Sequence, residues 1–263
     1  MFMTIQLQEM FNAGVHLGHH RRQGNPKMQP YIYREKDNYQ IIDLLQTHWY
    51  LKIACQFLFD AYSKGNIERV LFVGTKKYIG KCIEKTAKNC ECWYINKRWL
   101  GGFLTNWTTM QKSIFKLNQK ALRDKKNLRL LRQQKRLEKY LGGVQTMKKP
   151  PDLVIIVGQQ KEINAVRECQ KLKIPNITIL DTNCDPSLTD LLIPANDDSL
   201  SSVNYILTKL AIAIQEGQKD YKRKKKIEMA QKRFQWRRQQ HKSFEKKDKD
   251  YKRKKRPKQW RRQ

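Results

Sequence analysis

The chain has 263 residues and carries 55 Lys and Arg against 24 Asp and Glu, a net charge of +31. An excess of that size needs a polyanion, and nucleic acid is the usual one. No apolar run approaches the ~18 residues of a spanning helix, so no membrane partner is expected. The six cysteines contain no CxxC pair, which points to reduced, buried thiols in place of a zinc site or a disulfide frame.

The N-terminus, MFMTIQLQEMF, has neither the Arg/Ser-rich character of a transit peptide nor the apolar stretch of a signal peptide. The protein is therefore expected to stay in the compartment where it is made. Residues 4–13 read as a short amphipathic helix through Ile5, Leu7, Met10 and Phe11, ending at Gly14. The next segment, AGVHLGHHRRQGNPKMQPYI from Ala13 to Ile32, has three glycines and two prolines and reads as a loop. His16, His19 and His20 would suit a metal only on a helix, and no nearby carboxylate completes a ligand set, so no metal is expected. Arg21, Arg22 and Lys27 are clustered donors suited to RNA phosphates.

Tyr39 to Leu45 is expected as a strand, followed by a helix from about His48 to Ser63 that Gly65-Asn66 ends. Val70–Val73 is a continuous apolar run, as in a parallel strand buried on both faces, and it leads through Gly74-Thr75-Lys76-Lys77 into a helix reaching Asn89. A Walker A loop would need glycine where Arg69 stands, so nucleotide hydrolysis is not expected and no cofactor is predicted. Lys76 and Lys77 at a helix N-terminus would still suit an anion such as an RNA phosphate. Cys92 to Ile95 is a further short strand.

The stretch NKRWLGGFLTNW, Asn96 to Trp107, organises the chain. Trp99 is expected to pack between the sheet and a helical hairpin, with Lys97, Arg98 and Asn106 available to RNA and Thr105 or Asn106 capping the next helix. Residues 108–141 hold eleven Lys and Arg against two acids. Met110, Ile114, Leu117 and Ala121 share one helical face and Leu130, Leu137 and Leu141 another, with a turn at Lys125-Lys126-Asn127. This reads as a basic helical hairpin with a narrow apolar seam.

Beyond Gly142-Gly143, Leu153–Val157 is a second apolar strand, 161–172 a helix and Ile177–Leu180 a strand. Asp181 to Asp198 holds five aspartates at the place where α/β folds bind ligands, but Asp-Pro and Asn-Asp are turn chemistry, and turns and caps are expected. Val203, Leu207, Leu210 and Ile214 mark a helix that Gly217 stops. From Lys219 to Gln263 there are 22 Lys and Arg and five acids, with Trp236 and Trp260 interspersed, and this tail is expected to be disordered and to bind RNA.

Taken together, AGVHLGH (13–19), NPKMQPYI (25–32), FVGTKK (72–77), NKRWLGGFLTNW (96–107), YLGG (140–143), PPDLVII (150–156), IPNITILDTNCDP (174–186) and IPANDD (193–198) resemble the bacterial and organellar small-subunit ribosomal protein S-two family. RECQ (167–170), TNCDP and IPANDD resemble its plastid branch. The resemblance implies a three-layer α/β domain around a parallel sheet with a protruding helical hairpin. It implies a non-catalytic protein on the solvent side of the small subunit, between head and body, in the plastid stroma rather than the mitochondrion. Its partners would be small-subunit rRNA and neighbouring ribosomal proteins, with no small-molecule substrate. The expected organisation is a core over 1–107 and 142–218, the hairpin over 108–141 and a basic extension over 219–263. The alternative is a nucleotide-dependent enzyme on a doubly wound sheet, which would need a triad, a metal set or an intact phosphate loop.

Overall fold

Three strands, β4 (Val70–Val73), β6 (Leu153–Val157) and β7 (Asn176–Leu180), are buried at every position. Side chains alternate between faces along a strand, so a run buried throughout must be covered on both sides. Val70, Phe72, Leu153, Ile155 and Val157 pack into one core, and Leu71, Val73, Val154 and Ile156 into another. Together with β5 (Trp93–Ile95) and β8 (Leu191–Pro194) they form a parallel five-stranded sheet in the order β5-β4-β6-β7-β8. This computed structural model describes residues 4–113, 115 and 128–254.

The first core takes α1 (Leu7–Asn12), α2 (Leu44–Ser63), α3 (Gly80–Asn89) and the start of α7 (Leu200–Lys254). The second takes α6 (Ile163–Leu172), the 96–107 stretch, and Leu141 at the end of α5 (Leu128–Leu141). The three-layer α/β expectation therefore holds. Helix α4, over 107–113, and α5 stand at the two ends of the expected hairpin. Ile114, Leu117, Ala121 and the turn at Lys125-Lys126-Asn127 lie outside the described residues.

Several boundaries differ from the sequence reading. The 13–32 segment is not all loop: β1 (Leu17–His20) forms an antiparallel sheet with β2 (Ile32–Lys36) and β3 (Tyr39–Ile42), in the order β1-β3-β2. Glycine at position 18 in β1 serves a close approach, since a Cβ there would lie 2.5 Å from Thr182 Cγ2 and 2.8 Å from the Gln40 carbonyl oxygen. The expected strand to Leu45 ends at Ile42, because Asp43 accepts from the Leu45 amide at 2.9 Å and so starts α2 four residues earlier than expected. Strand β8 was hidden inside the aspartate-rich segment. It is an edge strand of four residues ending in proline, which an edge tolerates.

Gly217 does not stop the last helix, which is continuous from Leu200 to Lys254. The glycine lies against α2: a Cβ at this position would come within 2.7 Å of Tyr62 Cβ and 2.9 Å of the Phe59 carbonyl oxygen. The chain forms two units, Met1–Gln218 and Lys219–Gln263. In the second, residues through Lys254 are helical, where the composition had pointed to disorder. The helix has local support that a charge count misses. Asp220 pairs with Lys224 at 2.7 Å and Glu228 with Lys232 at 2.6 Å, each acid one turn before its base. Lys225 and Arg238 lie over the Tyr221 and Phe234 rings, each at 5.7 Å.

Candidate nucleic-acid interface

Parallel strands deliver all their following loops to one edge of the sheet. The loop after β4 carries Lys76 and Lys77, and that after β5 carries Lys97, Arg98 and Asn106. Asp181–Asp185 follow β7, and Asn196–Asp198 follow β8. The candidate RNA contacts from distant parts of the sequence thus meet along the carboxyl edge.

The 96–107 loop is built around a carboxylate that the sequence reading passed over. Glu168, on α6 and only 9% exposed, accepts from Trp99 Nε1 at 2.9 Å, from the Gly102 and Leu104 amides at 2.8 Å, and from the Thr105 amide at 3.1 Å. Trp99 is buried, edge-on to Phe103, and packs with Leu71, Val73 and Ile95 of the sheet and with Leu141. It thus shares one core with residues of the sheet and with Leu141 at the end of α5. Asn96 anchors the start of the loop, donating to the Gly80 carbonyl at 2.9 Å. With the backbone held from inside, Lys97, Arg98 and Asn106 are exposed.

The phosphate-loop position is filled by the protein itself. Glu162 accepts the Thr75 amide at 2.9 Å and the Thr75 hydroxyl, and Lys161 donates to the Thr75 carbonyl at 3.0 Å. Burial pushes the Glu162 carboxyl up, against the Thr75 hydrogen bonds and the nearby Lys161 and Lys76. Helix α3 begins only at Gly80, so the Thr-Lys-Lys run does not sit on a helix N-terminus as expected.

Lys76 is likewise committed inside. Its ammonium lies 2.7 Å from Asp197 and 2.8 Å from Asp198. Burial opposes its charge, yet these two carboxylates hold it above the ordinary lysine range. His19 Nδ1 lies 3.0 Å from Asp181, and its Nε2 lies 3.1 Å from Asp198. Burial first, then the Asp181 charge, push the Asp197 carboxyl up to about 6, against Lys76. The carboxylates missing near the histidines in sequence are supplied here by the fold. Ligand atoms of His19, Asp181, Asp197 and Asp198 all lie within 4.8 Å of one another. The Lys76 ammonium already lies against Asp197 and Asp198, and the His19 ring bridges Asp181 and Asp198. The three histidines themselves diverge, with His16 stacked on Phe11 at 4.5 Å and His20 edge-on to Tyr39.

The expected phosphate donors therefore fall into three groups. Lys76 and Lys27 brace the fold, the latter through Asp185 at 2.7 Å. Arg21 is exposed but pairs with Glu35 at 3.1 Å. Arg22, Lys77, Lys97 and Arg98 are exposed and make no ion pair among the described residues. Of the remaining aspartates, Asp185 serves a turn, accepting from the Ser187 amide at 3.0 Å, whereas Asp190 reaches across to the start of β7 and accepts from the Asn176 amide at 2.9 Å.

The network has a pH signature. The hydrogen bond to Asp181 raises the His19 pKa, against burial, with Asp198 and Asp197 adding to it. A histidine more basic in the fold contributes fully below about pH 6.5 and loses that contribution as pH rises through its folded value. His16 has the opposite sign, since burial lowers its pKa and its contribution is lost as pH falls. A comparison with His19→Gln isolates the first effect. The stability advantage of the natural chain should shrink on going from about pH 6 to about pH 9 in urea titrations. A constant difference would mean that folding leaves the His19 pKa unshifted.

Comparison with known proteins bears on this arrangement directly. The family "Ribosomal protein S2" matches residues 10–217. The small ribosomal subunit protein uS2c of Oltmannsiellopsis viridis is 48% identical over 232 residues, covering 84% of this chain and 97% of its own length. That of Mesostigma viride is 49% identical, covering 82% and 98%, and the uS2 of a Synechococcus strain is 47% identical, covering 81% and 84%. The family match takes in both sheets, the Glu168-centred loop and the carboxyl-edge ion network, and it ends at Gly217, where the helix crosses α2. This chain belongs to the ribosomal protein S2 family.

Proposed function

We propose that the protein is a structural constituent of the plastid small ribosomal subunit, in the stroma, held there by rRNA and by neighbouring ribosomal proteins. The observation that carries this reading is the family match over 10–217 together with plastid relatives matched over nearly their whole length. The chain acts as a component of a particle and not as an enzyme, and Glu162 fills the one place where its sequence hinted at a phosphate loop. No helix among the described residues is long and apolar enough to cross a membrane.

In this reading the rRNA contacts of the carboxyl edge are Lys77, Lys97, Arg98 and Asn106, and Arg21 and Arg22 contact rRNA from the end of β1. Lys27 and Lys76 position the loops that carry them. The residue organisation is a core over 1–107 and 142–218, a basic hairpin over 108–141 and an extension from 219. Tagged protein should co-sediment with small subunits on sucrose gradients of isolated plastids, and its appearance only in the soluble fraction would reject the assignment. Replacing Lys97 and Arg98 together by Gln should change stability by less than about 0.5 kcal/mol, as is usual for exposed sites. The same variant should enter subunits less efficiently. An unfolded double variant would show that these side chains serve the fold and not RNA.

A further inference from the structure

The N-terminal sheet presents a second surface with the chemistry of nucleic-acid recognition. In its register His20 lies opposite Tyr39, Lys36 opposite Tyr39, and Arg34 opposite Ile41. Cross-strand partners share a face, so His20, Arg34, Lys36 and Tyr39 stand on one side of the sheet. Irregularities between Leu17 and His20 and between Ile32 and Arg34 set this phase, and the second leaves Tyr33 as the extra residue. Tyr39 is 56% exposed and Tyr33 is 67% exposed. His20 meets the Tyr39 ring edge-on, with centroids 5.6 Å apart and planes at 77°, which supports the ring and leaves it open to solvent. The Arg34 guanidinium lies 5.8 Å from the Tyr33 ring.

Beside Tyr39 is an open cleft of about 380 Å³ lined by His20, Arg21, Arg22 and Asn38. That is the lower end of the size range of small-ligand sites, and a nucleotide is of that scale. The hairpin turn shapes it. Asp37 and Asn38 both take left-handed backbone angles, with φ of 51° and 65°, and the Asn38 carbonyl accepts the Arg21 amide at 2.8 Å. Two open tyrosines among Arg22, Arg34 and Lys36 combine a π-face with phosphate donors, which is how proteins hold unpaired nucleotides. A duplex offers only its phosphates to such a surface, because its bases are already stacked. The cations around the two rings favour a polyanion over a protein partner.

We propose that this face binds an unpaired segment of RNA, with a base stacked on Tyr39 beside His20 and adjoining phosphates on Arg22, Arg34 and Lys36. This rests on the reading of the chain as an RNA-binding protein and adds a site that discriminates single strands from duplex. The full-length protein would be titrated with a fluorescein-labelled single-stranded decanucleotide and with the matching duplex, at a salt concentration high enough to suppress phosphate-only binding. Tyr39→Leu should weaken single-strand binding roughly tenfold, Tyr39→Phe should retain it within about twofold, and neither should alter duplex binding. Photo-crosslinking of a 4-thiouridine-substituted strand should map to Tyr39 or His20. If the natural chain binds RNA but Tyr39→Leu binds the single strand equally well, or the crosslinks map elsewhere, the site is wrong and the broader reading stands. If the natural chain binds neither probe at any salt concentration, both fall.

Discussion

Glu168→Ala is expected to destabilise the folded domain by about 3–5 kcal/mol. The change leaves the Trp99 indole N–H and the amides of Gly102, Leu104 and Thr105 without their acceptor. A buried donor left unpaired costs roughly 1–3 kcal/mol, and local relaxation keeps the sum below the full total. Glu168→Gln should fall between, because its carboxamide has one accepting oxygen and turns an N–H toward donors. Trp99→Ala should cost a similar ~3–5 kcal/mol through lost packing. The two substitutions share a hydrogen bond, so the double variant should cost less than their sum. Urea unfolding measures all four variants. A Glu168→Ala loss below about 1 kcal/mol would show that water replaces the carboxylate and that the loop is not held from within. Because the same loop carries Lys97 and Arg98, subunit incorporation of Glu168→Ala should fall even at temperatures where the domain stays folded.

Ending the chain at Gln218 should leave the thermal transition of the domain in place and remove much of its RNA affinity. Residues 219–263 contribute 22 − 5 = +17 of the +31, leaving +14 on the domain. Gly217, which crosses α2, and Gln218, whose carboxamide donates to the Cys90 carbonyl at 2.8 Å, are both retained. Each phosphate neutralised on single strands adds about 0.7 to the slope of log affinity against log salt, so removing even a few contacts should flatten the slope by about 2 or more. Phe234, Trp236 and Tyr251 are exposed, Tyr221 is half-buried, and all four leave with the same segment. A domain that fails to fold without the segment would make it structural. An unchanged salt slope would make it a bystander.

The parallel sheet was legible in the sequence because Val70–Val73 and Leu153–Val157 are apolar at every position, which only strands covered on both faces require. Trp99 was legible as an anchor for the same reason, since a large side chain beside a strand end must be buried to be stable. The +31 charge made a polyanionic partner unavoidable whatever the fold. The strings from AGVHLGH to IPANDD carried the family because their order, and not any single one, is specific.

What stayed hidden depends on contacts between residues far apart in the chain. Lys76 and Lys77 are chemically identical neighbours, and only the arrival of Asp197, 121 residues later, turns one into an internal strut and leaves the other exposed. Glu168 sits on an amphipathic helix where an acid ordinarily faces water. Nothing local shows that four donors from 99–105 will close over it. His19 had no carboxylate nearby in sequence, and the sheet brought three to it. At Gly217, the residue type that commonly ends helices was chosen for closeness to Tyr62, and local sequence is the same in either case. Sequence by itself determined which segments must be buried and how much charge must find a partner, because hydrophobicity and net charge are sums over residues. Which polar groups face inward, and so which cations remain for RNA, was decided only by the tertiary structure, because a buried charge is stable only beside the partner that the fold places there.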